Sequence, residues 1–171
     1  MDQLLDLLLF LLPIYIANSS PVVLGGGTPL DLGMNFFDGK RLFGEGKTIR
    51  GFIGGVLAGT LAGGLCALVY QSPFFMTEPT QFFAGFMLSV GTLCGDAFGS
   101  FIKRRLGVGS GRQFLLDTIL FLLVALAFVF PFASISLFDP LDLLFFILLT
   151  LILHPLMNIL ANRAGLKRVP W

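Results

Sequence analysis

The chain has 171 residues, enough for one domain (1–171); 56% are hydrophobic, 20 are Phe and only 12% are charged. A soluble domain is nearer half apolar and a quarter charged, so most of this surface faces lipid, and neither a water-soluble enzyme nor a nucleic-acid partner is expected. The net charge of +1 averages two faces of opposite character.

Five apolar stretches predict an all-α integral membrane protein with five transmembrane helices, since a spanning helix needs roughly 17–25 residues. Strands are excluded because sheet edges are not tolerated in lipid and the runs lack barrel alternation. The first stretch, Gln3–Ser20, is short, contains Pro13 and follows acidic Asp2. A cleaved signal peptide would carry a basic leader, so this segment is expected to remain as a helix. Asn18 stands at its inner end.

Pro21–Lys47 is long for a connector, and loops above about 12–15 residues are usually functional or disordered. It holds Gly25-Gly26-Gly27, Asp38-Gly39-Lys40-Arg41 and Gly44-Glu45-Gly46-Lys47-Thr48-Ile49-Arg50-Gly51. Gly46-Lys47-Thr48 is not a P-loop: Arg41 stands where its first glycine belongs, and no strand precedes it. Glycines beside Lys, Thr and Arg at a helix N-terminus still suit a phosphate cradle.

The second stretch, Gly51–Tyr70, carries a stripe of Gly51, Gly55, Gly59 and Gly63, and the third, Gln81–Ile102, answers with Gly91, Gly95 and Gly99. Such stripes let helix backbones approach closely. Cys66 and Cys94 sit in apolar runs without metal-ligand spacing and are read as packing residues.

Charges inside a membrane helix are expensive and usually functional. Asp96 lies seven residues before Lys103, roughly 10 Å inside the boundary that Lys103 marks. Asp117, in the fourth stretch Gln113–Ala133, lies five residues after Arg112, roughly 7–8 Å in. The two acids therefore share a depth on neighbouring antiparallel helices and suit magnesium, which takes one or two carboxylates with water and substrate phosphates. The plainer alternative pairs each acid with a loop Lys or Arg. Asp96, Ser100 and Lys103 share one face, with Arg104 adjoining, and can serve a metal and then phosphate oxygens. Arg105 reads as a snorkelling interfacial cation. On the fifth stretch, Leu141–Ala161, His154, Asn158 and Asn162 recur every fourth residue, which predicts interhelical hydrogen bonding.

All 11 Lys and Arg fall between helices 1 and 2, between helices 3 and 4, or in the tail with Arg163, Lys167 and Arg168. The other face carries Asp2, Asp6, Glu78, Asp139 and Asp142 and looks featureless. The positive-inside rule makes the basic side cytoplasmic, with the N-terminus outside, the C-terminus in the cytoplasm and a loop-built cytoplasmic site.

Gly95-Asp96-Ala97-Phe98-Gly99-Ser100-Phe101-Ile102-Lys103-Arg104-Arg105-Leu106-Gly107, with Asp117 opening the next helix, resembles the CTP-dependent cytidylyltransferases that activate lipid phosphates. Ala17-Asn18-Ser19-Ser20-Pro21, Asp38-Gly39-Lys40 and Gly46 to Gly51 resemble the archaeal branch, the CDP-archaeol synthases, short relatives of CDP-diacylglycerol synthase. The loop after Lys103-Arg104 is shorter than in the diacylglycerol enzymes, and Thr118 follows Asp117 where the archaeal pattern usually has Gln. The resemblance implies cytidylyl transfer from CTP to an isoprenoid diether glycerol phosphate in the membrane, releasing pyrophosphate. It implies Asp96 and Asp117 on magnesium, with Lys103, Arg104 and Ser100 on the lipid phosphate. Lys40, Lys47, Thr48, Arg50 and Gly51, supported by Asn18 and Asp38, are then expected to hold CTP. A small transporter and a non-catalytic scaffold are the rival classes.

Overall fold

The computed structural model describes residues 3–109, 112, 114–167 and 169. Asp2, Arg168 and Gln113, the expected start of the fourth span, lie outside the described residues. The described elements are helical: α1 (Gln3–Ser19), α2 (Pro21–Leu24), α3 (Ile49–Val69), α4 (Glu78–Arg105), α5 (Leu115–Val129), two 3-10 turns (Phe130–Phe132 and Ile135–Phe138) and α6 (Pro140–Arg163). Five segments are long and apolar enough to cross a membrane, α1 running on through α2 to Leu24 and α5 on to Phe132.

Local chemistry sets the ends. Thr48 caps α3 by accepting from the Gly51 amide, and Thr77 caps α4 by accepting from the Thr80 amide. Asp139 caps α6 ahead of Pro140, which supplies the φ that a first helical turn needs. Lys103, Arg104 and Arg105 close α4, where the dipole favours cations, and Asp117 sits in the first turn of α5, where it favours anions. At 28 residues α4 is about 42 Å long, more than a hydrocarbon core of about 30 Å, so its basic last turn stands at headgroup level.

The glycine stripes do pack backbones, but not against each other as their order in the chain suggested. Gly63 of α3 meets Gly85 of α4: a Cβ on Gly63 would stand 2.7 Å from the Gly85 Cα. Gly91, Gly95 and Gly99 face α5 instead, and a Cβ on Gly95 would stand 2.6 Å from the Leu120 carbonyl oxygen. These approaches seat α4 between α3 and α5 and bring Asp96 and Asp117 to one end of the bundle. The core is aromatic, with Phe10, Phe74, Phe75, Phe121 and Phe146 buried and the rings of Phe10 and Phe146 stacked at 5.3 Å. Cys66 is buried, Cys94 half-buried, and both are free, as packing residues should be.

α6 is the loosest member: 11% of its apolar stretch is buried, so it meets the bundle along one narrow stripe that includes Phe146 and Thr150. The acidic end is less featureless than its sequence suggested. Tyr70 donates to buried Asp6, and Gln3 donates to buried Asp142 at 3.0 Å.

Candidate functional site

The loop from 25 to 48 is organised by one carboxylate that the motifs did not single out. Asp31, 1% exposed, accepts from Arg41 at 2.5 and 3.2 Å and from the amides of Gly44, Phe43 and Gly33 at 2.9, 3.1 and 3.1 Å. Burial pushes the Asp31 carboxyl up. The Arg41 guanidinium and the amides of Gly44, Phe43 and Gly33 outweigh it and hold the group well below the usual carboxylate range.

A second clasp fastens the loop to α4. Arg105 Nε lies 2.8 Å from Asp38 Oδ2, its Nη2 donates to the carbonyls of Lys40 and Arg41, and Lys40 Nζ returns a bond to the Arg105 carbonyl at 3.0 Å. The guanidinium also lies over Phe36 and Phe101, at 5.0 and 4.6 Å from their centroids. Arg105 is thus the clasp rather than a solvated interfacial cation. Asp38 and Lys40, expected on the nucleotide, are engaged in that clasp and lie outside the cavity described next. Thr48 Oγ1 accepts from the Gly51 and Gly26 amides at 3.1 and 3.2 Å, so it ties loop to helix; Arg50 and Gly51 likewise lie outside the cavity wall.

The cavity itself, about 310 Å³, opens at the basic end. The loop contributes Phe43, Gly46 and Lys47; α4 contributes Asp96, Ser100, Lys103 and Arg104; α5 and the residue before it contribute Asp117, Thr118 and Phe114. Asn18, His154, Asn158 and Lys167 add the remaining polar side chains, with Pro21, Val22, Pro155 and Leu166 between them. Lys47 Nζ lies 2.5 Å from Asp96 Oδ2, and Lys103 Nζ lies 2.6 Å from Asp117 Oδ2 and 2.5 Å from the Arg112 carbonyl oxygen. The plainer expectation, acids paired with cations, is therefore met at one oxygen of each acid. No hydrogen bond from the described residues reaches Oδ1 of either.

Among the described residues, four cations (Lys47, Lys103, Arg104, Lys167) stand against two carboxylates, an excess of positive charge that suits a polyanion. Among the described residues there is no group of three or more His, Cys, Asp or Glu able to hold a metal by itself. The donors fit magnesium in the mode where two carboxylates hold the ion and phosphate oxygens complete the shell.

The polar stripe of α6 divides its work. Asn18 Nδ2 and His154 Nδ1 lie 3.2 Å apart, linking α1 to α6, and the His154 ring stands 5.2 Å from that of Phe121. Asn158 and Asn162 hold the tail rather than another helix: Lys167 Nζ donates to Asn158 Oδ1 at 2.7 Å and Asn162 Nδ2 donates to the Lys167 carbonyl at 2.8 Å. The sequence placed Lys167 only as a topological charge; Gly165 between it and Asn162 was a weak signal of this fold-back. Burial and the like charge of Lys47 pull the Lys167 ammonium below its ordinary value, Asp96 opposing. Beside the polar cavity runs an apolar groove of about 850 Å³ between α1, α2 and α6.

The CarS-like CDP-archaeol synthase family model matches residues 1–171. The CDP-archaeol synthase of Pyrococcus horikoshii is 44% identical over 172 residues, covering 100% of this chain and 99% of that protein. That of Methanocaldococcus jannaschii is 44% identical and covers 95% of this chain and 94% of its own. A solved structure described as structural insight into an intramembrane enzyme for archaeal membrane lipids biosynthesis aligns with a TM-score of 0.78 at 38% identity, over 93% of this chain and 96% of that one.

Proposed function

This chain belongs to the CarS-like CDP-archaeol synthase family, and from that premise we propose that its polar cavity joins CTP to a lipid phosphate at a magnesium ion held by Asp96 and Asp117. The chain is a multi-pass membrane enzyme that transfers a cytidylyl group from CTP in archaeal lipid synthesis, which ends the transporter and scaffold readings. The observation that carries the proposal is the pair of acids in one wall, each with one oxygen on a lysine and the other without a donor among the described residues, amid excess cations.

The substrate is an unsaturated isoprenoid diether of glycerol phosphate. A phosphate monoester is largely dianionic near neutral pH, its second pKa being about 6, so the attacking oxygen needs no strong base. That oxygen forms a bond to the α-phosphorus of CTP as the bond from that phosphorus to the bridging oxygen breaks, and pyrophosphate leaves with the electron pair. The obstacle is repulsion between anions. Lys47 and Arg104 hold the triphosphate, and Ser100 with Lys103 orients the lipid phosphate across from it. Magnesium, when bound, supplies charge neutralisation on the triphosphate oxygens. Asp38, Lys40, Thr48 and Gly51 give the loop its shape, which sets where Lys47 stands.

In detergent the protein should release pyrophosphate only when CTP, lipid phosphate and magnesium are all present. Lys47→Ala should weaken CTP binding at moderate salt by roughly 10-fold or more, the scale of one hydrogen bond to a charged group. Unchanged affinity would remove Lys47 from the nucleotide. The positive-inside rule puts the cavity on the cytoplasmic side, with the N-terminus outside. A cysteine at exposed Leu106, in a background without Cys66 and Cys94, should resist an impermeant maleimide in intact cells and react in inverted vesicles. Labelling from outside would reverse the topology.

A further inference from the structure

We propose that Lys167, carried beyond α6 on the C-terminal tail, is a further cation for the phosphate of the lipid substrate, joining Lys103 and Ser100 where the polar cavity meets the apolar groove. The inference rests on the cavity assignment just made, and adds a subsite to it.

The two spaces are continuous, since Asn18, Val22, His154, Asn158 and Leu166 line both. Among the described residues the groove lining holds no Asp, Glu, Lys or Arg, which suits chains rather than a phosphate. A molecule with apolar chains in the groove and its reacting oxygen in the cavity therefore places its phosphate at the shared wall. Among the described residues, Lys167 is the cation that adjoins that wall. Lys167 follows Leu166 in sequence, lines the cavity, and touches Asn158 through its ammonium at 2.7 Å.

The other cavity cations stand on the side of the loop and the two acids. Lys47 and Lys103 each hold a carboxylate, and Arg104 donates to the Val108 carbonyl and packs beside Gly44 on the loop side. Lys167 has a neutral partner, and its single hydrogen bond to the described residues leaves two of its three N–H donors for phosphate oxygens.

The tail is built to put it there. Gly165 has φ +72°, the left-handed conformation that ends a helix, and the Gly165 and Leu166 amides bond back to the carbonyls of Asn162 and Ala161 at 3.0 and 2.9 Å. This cap reverses the chain, and Asn162 then fixes the Lys167 carbonyl. The lowered proton affinity of the Lys167 ammonium agrees with a site from which water is partly excluded and to which a dianion brings compensation.

The test is two-substrate kinetics on the full chain in mixed micelles, with a dialkenyl glycerol phosphate and CTP varied in turn. Lys167→Ala should raise KM for the lipid phosphate about 10-fold or more, the scale of one lost charge-assisted bond. KM for CTP, and CTP binding measured without lipid, should stay within about twofold by the same reasoning, because the triphosphate cations are untouched. Lys167→Arg should keep most of the wild-type KM. An equal rise for CTP would assign Lys167 to the nucleotide, and no rise for either substrate would leave it no ligand; each overturns the proposal. Lys167→Gln keeps a polar group for Asn158 and is read if the Ala variant does not fold. Loss of the folded protein in both would make the residue structural and overturn it equally. Absence of turnover in the wild type would instead sink the parent assignment.

Discussion

Asp96→Asn and Asp117→Asn should each lower magnesium-dependent turnover by about 100-fold or more, the scale on which a group stabilising transition-state charge is lost. Asn preserves the shape of the side chain and removes one charge from the ion's holder. Magnesium affinity should fall, and turnover should fall further, because the ion acts on charge that grows as pyrophosphate leaves. CTP binding without metal offers a control of opposite sign. Asp96 holds Lys47 at 2.5 Å, so Asp96→Asn frees that lysine and removes a repelling carboxylate; metal-free CTP should bind at least as well as to the wild type. The bundle should remain folded, because α4 and α5 are held at Gly91 and Gly95 by close backbone packing above the acids. Near-normal magnesium-dependent rates in both variants would end the two-carboxylate mechanism. A failure of both to fold would make the ion pairs structural.

Asp31→Ala should abolish high-affinity CTP binding while leaving the helices assembled. The substitution strands a guanidinium and three loop amides that share one buried carboxylate. Breaking a buried ion pair by removing one partner typically costs about 3–5 kcal/mol, enough to melt a loop that carries little apolar burial of its own. Phe43, Gly46 and Lys47 would then leave the cavity wall together. Hydrogen exchange should accelerate across residues 31–47 and stay unchanged in α3 and α4; slow exchange in that loop would show that Asp31 does not organise it. The pH dependence has a definite sign. A carboxyl held below its ordinary value of about 4 stabilises the loop fully above that pH, and the contribution fades as pH falls through the depressed folded value. The loop should therefore show no Asp31-linked change across the neutral range and loosen only in strong acid.

The sequence by itself determined the membrane architecture. Lipid leaves backbone groups no solvent partner, so apolar runs of the right length must be helices, and their ends could be read to within a few residues. It also determined that Asp96 and Asp117 share a depth, because helix rise converts spacing to distance, and that the basic residues collect at one end. Those statements need only one helix at a time. Periodicity names the face of a helix but not its neighbour, so only the tertiary structure decided that Gly63 meets Gly85 and that Gly95 of α4 packs against α5. Loops have no period, so the same charges could serve a nucleotide or one another. Packing assigned Asp38, Lys40 and Arg105 to a clasp, Thr48 to a cap and Asp31 to the centre of the loop. It also folded Lys167, distant in sequence from every other cavity cation, back onto Asn158, because a left-handed glycine ends α6 one turn after Asn162 begins to hold the tail. Charge and hydrophobicity are properties of residues and survive in the sequence; which charges meet depends on long-range closure of the chain, and that exists only once the helices have packed.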